Sequence, residues 1–99
     1  MNFLGHSFVA ARLGRTDPAE VLGAMLPDFT SMSRNRIAEV APGRLATGVA
    51  LHHATDDAFH RHPIFVAHER ASLAALEAAG VRRGPSMAAA HIGTELLLD

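Results

Sequence analysis

Apolar residues recur along this chain at three- and four-residue intervals, the period of an amphipathic helix, and the alternating Val, Ile and aromatic runs that mark strands are missing. The pattern predicts an all-α fold. A first helix is expected over Phe3 to Leu13, ended by Gly14. Leu4, Phe8 and Ala11 lie on one side of it and Val9 and Leu13 on the other, so it reads as buried on more than one face. Asp17-Pro18-Ala19-Glu20 then starts a second helix, with a carboxylate at the N-cap, a proline whose missing N–H costs nothing at the first position, and a Glu at the third. It is expected to stop near Leu26-Pro27-Asp28-Phe29, because proline disfavours the helical conformation of the residue before it; Asp28 would sit at the exit. The polar run Thr30 to Ala41 reads as a connection with at most a short helical piece. From Pro42-Gly43 a helix is expected to about His60, closed by His62-Pro63, and another from Pro63 to about Ala79, closed by Gly80. Val81 to Pro85 reads as a loop, and Ser86 as the N-cap of a last helix that reaches Asp99 without a stop signal.

Length and composition narrow the function more than the fold. Ninety-nine residues bound the chain to a single helical domain, 1–99, and 48% hydrophobic with 19% charged residues is ordinary globular composition. Nine Lys and Arg against ten Asp and Glu leave a formal charge of -1, without the basic excess that nucleic-acid binding requires. No window approaches the roughly 18 to 20 continuous apolar residues of a membrane span. The opening Met1-Asn2-Phe3-Leu4-Gly5-His6 has no basic region ahead of an apolar run, so the expectation is a soluble, cytoplasmic protein without a signal peptide. With no Cys, any metal must be held by imidazole and carboxylate, and seven His stand out in a chain without Trp or Tyr.

On the helix from Pro42, His52, Asp56 and His60 share the arc of Leu45, Val49 and Phe59. An imidazole and a carboxylate four residues apart on an inward face can converge on one cation, or form a plain hydrogen bond at the core's edge; spacing alone leaves both open. His53 and Asp57 repeat the spacing about 100° away and read as solvent-facing. His62 and His68 carry no assignable chemistry, and Glu69 is expected in a helix-surface pair with Arg70 or a neighbour. His91, Glu95 and Asp99 form one polar stripe on a segment otherwise of Ala, Ile, Met and Leu, either a ligand ladder or, as favoured, the wet side of the helix.

Four segments, in order, resemble the acyl carrier protein phosphodiesterase family of HD-domain-like hydrolases. They are Met1-Asn2-Phe3-Leu4-Gly5-His6, Gly23 to Phe29 with its Asp28-Phe29 pair, the helix Gly48-Val49-Ala50-Leu51-His52-His53-Ala54-Thr55-Asp56 followed by Pro63, and Glu95-Leu96-Leu97-Leu98-Asp99, similar to the family's Asp-x-x-x-Asp helix. Two positions depart from the family pattern: His60 stands where an acidic residue is usual, and Glu95 replaces an Asp. The resemblance extends over essentially the whole chain. Family members are longer and continue with further helices, so it implies the N-terminal half of an HD-domain-like helical bundle, incomplete at its C-terminus.

The resemblance implies hydrolysis of the phosphodiester that joins 4'-phosphopantetheine to a serine of holo acyl carrier protein, with Mn2+ or Mg2+ as cofactor. Hard carboxylate oxygens with imidazole suit Mn2+, and a divalent cation lowers the pKa of water and neutralises phosphoryl charge. Carried onto this chain, the metal ligands are Asp28, His52, Asp56 and Asp99, with His6 and Glu95 as orienting residues or ligands of a second ion, and Asp28, His52 and Asp56 central to catalysis. Arg34, Arg36 and Arg44, with Arg82 and Arg83, are candidates for docking the acidic carrier. Two alternatives stand beside this reading: an HD-type phosphohydrolase acting on another phosphoester, and a truncated metal-binding remnant without catalysis, its exposed Leu96, Leu97 and Leu98 favouring self-association.

Overall fold

Five helices and no strand carry the chain in a computed structural model that describes residues 1–99: α1 (Phe3–Arg12), α2 (Pro18–Met32), α3 (Arg44–Arg61), α4 (Pro63–Ala78) and α5 (Arg83–Leu98). The fold is all-α, as the periodicity predicts. The chain forms two compact units, Met1–Asp57 and Ala58–Asp99, with α3 beginning in the first and ending in the second. No helix is long and apolar enough to cross a membrane.

In the first unit, α1 starts because the Asn2 side chain accepts from the N–H groups of Leu4 and Gly5, at 2.9 and 3.0 Å. Its buried residues are His6 and Ala10, whereas Leu4 and Phe8 are exposed. The expectation of an apolar helix buried on several faces is therefore corrected: a histidine occupies the inward position, and the large hydrophobes lie outside. The start of α2 is as expected, with Asp17 accepting from Ala19 and Glu20 N–H and Pro18 in the first turn. Its end is not. The helix runs through Pro27 to Met32, so Asp28 lies inside it rather than at its exit, and the connection is correspondingly shorter. Proline removes one N–H from the ladder and crowds the preceding turn. The helix nevertheless continues, and in the preceding turn the Ala24 carbonyl accepts a hydrogen bond from His52 Nδ1 at 2.9 Å.

Helices α2 and α3 meet backbone to backbone. A Cβ on Gly48 would collide with the Glu20 carbonyl and the Ala24 N–H, and one on Gly23 with the Leu45 carbonyl. Only hydrogen fits at these two positions, and that close approach is what lets His52 reach Ala24. Nearby, the buried Glu20 carboxylate is flanked by Arg15 at 3.1 Å and Arg44 at 3.6 Å.

In the second unit, α4 is capped by His62, whose Nδ1 accepts from Ile64 N–H at 3.2 Å, a role that its isolated position in sequence did not reveal. Phe65 is the buried anchor of α4, and Ala90 is its counterpart on α5. Ser86 is not the cap of α5. The helix begins four residues earlier, Arg82 is the N-cap, and Ser86 is buried within the first turns with its hydroxyl donating to the Val81 carbonyl. A small hydroxyl that bonds its own backbone can be buried in a helix that already has the preceding turn to accept it.

Candidate metal centre

Three ligand atoms, one each from His6, Asp28 and His52, lie within 4.8 Å of one another in the first unit. They come from three helices. His6 is on the inward face of α1, Asp28 one residue beyond the proline of α2, and His52 four residues beyond the close glycine of α3. Asp56 stands beside this group: its Oδ1 is 3.5 Å from His6 Nε2 and 3.1 Å from the Met1 amine. His6 Nε2 is 4.0 Å from Asp28 Oδ2.

The hydrogen bonds make Nδ1 the donor on both imidazoles. The Thr55 hydroxyl has a single proton, directed at the carbonyls of Leu51 and His52 (2.9 and 3.1 Å), so toward His6 Nδ1, at 3.1 Å, it can only accept. The Ala24 carbonyl can likewise only accept from His52 Nδ1. Each ring donates from Nδ1, which leaves Nε2 as the ligand atom, the arrangement of a histidine ligand whose second nitrogen is held by an outer partner. The rings lie 3.8 Å apart, centroid to centroid. Burial, followed by the neighbouring His52, lowers the His6 pKa from 6.5 to about 4, against the opposing pull of Asp56. His6 is therefore neutral at pH 7. Its Nε2 is buried and makes no hydrogen bond. A buried, neutral nitrogen without a hydrogen, grouped with a carboxylate and a second imidazole, fits a cation, and the donor set fits an ion that accepts both imidazole and oxygen.

The remaining sequence candidates fall elsewhere. Glu95 lies in the second unit beside His60 and His91, with its Oε1 accepting from His60 Nε2 at 2.7 Å. Asp99 is the C-cap of α5 and belongs to neither ligand group. The stripe of His91 and Glu95, expected to face water, is half-buried, while Leu96 and Leu97 on the same helix are exposed. Glu69, expected to pair along its own helix, instead accepts from His91 Nδ1 at 2.7 Å. His53 and Asp57 are exposed, as expected.

A family model described as acyl carrier protein phosphodiesterase matches residues 1–81. The chain belongs to this family. The match takes in His6, Asp28, His52 and Asp56, and stops short of the segment holding His91, Glu95 and Asp99, so the family likeness is narrower than the whole-chain extent expected from the four motifs. No curated protein and no solved structure matches the chain significantly.

Proposed function

We propose that this member of the family is a divalent-metal-dependent phosphodiesterase that removes 4'-phosphopantetheine from holo acyl carrier protein. Water adds across the P–O bond to the carrier serine; phosphorus gains the water oxygen, the serine oxygen leaves and takes up a proton, and the products are apo carrier and 4'-phosphopantetheine. The observation that carries this reading is that His6 and His52, each hydrogen-bonded through Nδ1 to an outer partner, have ligand atoms within 4.8 Å of one of Asp28, inside the stretch that matches the family. His6, His52 and Asp28 would hold the ion, with Asp56 at its side. Two imidazoles among the ligands favour Mn2+ over Mg2+, which prefers an all-oxygen shell. When bound, such an ion supplies charge neutralisation at the phosphoryl oxygens and a lowered pKa for water.

A cleft of about 540 Å³ in the same unit, lined by Arg34, Arg36, Asn35, Thr30 and His53 among others, supports a phosphate-bearing or acidic partner. Arg44 and Arg83 are engaged with Glu20 and Glu77, and of the five candidate arginines Arg34 and Arg36 line this cleft, which makes them the better docking candidates. The test is mass spectrometry of holo carrier incubated with the chain and Mn2+. The expected outcome is conversion to the apo carrier, slowed on the order of 100-fold or more by Asp28→Asn or His52→Ala. Arg34→Glu with Arg36→Glu should raise KM at low salt with kcat little changed. Hydrolysis of a nucleotide or another phosphoester in place of the carrier would replace the substrate, and Mn2+ binding unaltered by Asp28→Asn and His52→Ala together would remove the ion from this group.

A further inference from the structure

The second unit contains another group of ligand-forming side chains that the proposed function does not use. His60 from the last turn of α3, His91 and Glu95 from α5 bring three ligand atoms within 4.8 Å of one another. Glu95 Oε1 is the shared oxygen, 2.7 Å from His60 Nε2 and 3.3 Å from His91 Nε2. Glu69 on α4 holds the far side of His91, accepting from Nδ1 at 2.7 Å. The two imidazoles stack at 4.9 Å with 21° between their planes, and the buried Phe65 meets both edge-on.

These contacts pose an electrostatic problem that a cation solves. With its Nδ1 proton given to Glu69, a neutral His91 points its Nε2 lone pair at the Glu95 oxygen, acceptor against acceptor, so a positive centre must lie between them. A proton on His91 Nε2 would supply it, at the cost of an imidazolium stacked on His60 in a half-buried place against Phe65. One divalent ion satisfies both nitrogens while leaving both rings neutral. The spacing agrees: bonds of about 2.0 Å at tetrahedral angles set neighbouring ligand atoms roughly 3.3 Å apart. The His91–Glu95 separation already matches, and the His60–Glu95 hydrogen bond needs only to open by about half an ångström once the ion replaces its proton.

We infer that His60, His91 and Glu95 form a transition-metal site of the Zn2+ class, with Glu69 as the outer carboxylate that orients His91. Two imidazoles and one carboxylate leave a fourth coordination position for water or another ligand. The nitrogen-rich set selects Zn2+, Co2+ or Ni2+ over Mg2+ and Ca2+.

Cobalt titration of the full chain tests this site apart from the one on α1, α2 and α3. In a chain carrying Asp28→Asn and His52→Ala, one equivalent of Co2+ should still bind and give the intense visible bands of a tetrahedral ion. Adding His91→Ala should weaken binding at least 100-fold and erase the bands, and Glu69→Gln should weaken it about tenfold. Nitrogen-15 spectra of the wild-type histidines, titrated with Zn2+, give an answer that depends on no variant: Nε2 of His60 and His91 should shift together while the His91 Nδ1–H persists. Unmoved His60 and His91 resonances, or Co2+ binding that His91→Ala leaves unchanged, would overturn the assignment.

Discussion

His6 shows how one side chain couples the fold to the candidate centre. It is almost wholly buried, it donates from Nδ1 to Thr55, and its pKa falls to about 4 from 6.5 chiefly through desolvation. Above pH 6.5 the ring is neutral whether the chain is folded or unfolded. Between 6.5 and about 4 only the unfolded chain takes up the proton, so acidification through that window favours unfolding, and below it both states are charged. The shift corresponds to a loss of about 3 kcal/mol across the window for the metal-free protein. Urea unfolding in chelator should therefore show wild type losing about 2 to 3 kcal/mol more than His6→Asn, which keeps a donor for Thr55, between pH 7.5 and 4.5; equal losses would mean that His6 is not buried neutral. The site was legible residue by residue only in part. Spacing singled out His52 and Asp56 because both lie on one helix, and resemblance added His6 and Asp28. The partnership of His60, Glu69, His91 and Glu95 was hidden because it joins three helices, and the one local signal, His91 four residues before Glu95, was outweighed by Leu96 and Leu97, which fold outward.

Among the helices, the contact between α2 and α3 is the one that cannot be loosened. Gly23 and Gly48 let two backbones touch, and the carbonyl that receives His52 lies one residue past Gly23. Gly48→Ala would drive its Cβ into the Glu20 carbonyl, a backbone atom that cannot swing aside. A loss of about 3 kcal/mol or more, or failure to fold, is expected, measured by thermal or urea unfolding. Gly93 on α5 is the contrast: nothing lies within 4 Å of its Cβ position, so Gly93→Ala should stabilise the chain by about 0.5 to 1 kcal/mol. A destabilised Gly93→Ala or a neutral Gly48→Ala would contradict the packing. Helix existence and order were readable from periodicity, Asp17-Pro18 and the glycine stops. The C-terminal end of α2 and the start of α5 were not, because Pro27 and Ser86 are strong local signals that the folded chain overrides: α2 runs on through Pro27, and Ser86 is buried within α5.

At the scale of the whole chain, the interior is unusually polar. Its fully buried apolar residues are Ala10, Ala24, Phe65 and Ala90, set beside buried His6, Glu20, His52, Ser86 and Thr94, while Leu4, Phe8, Met32, Leu96 and Leu97 face outward. Three small alanines and one phenylalanine remove little apolar surface from water, so the metal-free chain should rest on a modest hydrophobic contribution, and ligand binding should be a large share of its stability. An ion bound only to the folded form stabilises by about 2.7 kcal/mol at a free concentration 100 times its Kd, which slows every opening that must release it about 100-fold. If His6, Asp28 and His52 hold the ion, that protection belongs to the openings of Met1–Asp57. Hydrogen exchange with and without Mn2+ resolves this, using a chain with His91→Ala so that only the first group can take the ion. Amides of α1, α2 and the first turns of α3 should slow by up to about 100-fold, and those of α4 and α5 should slow less. Protection that favours α4 and α5, or none on α1 and α2 at saturating Mn2+, would show that the buried histidines of the first unit serve packing and not an ion.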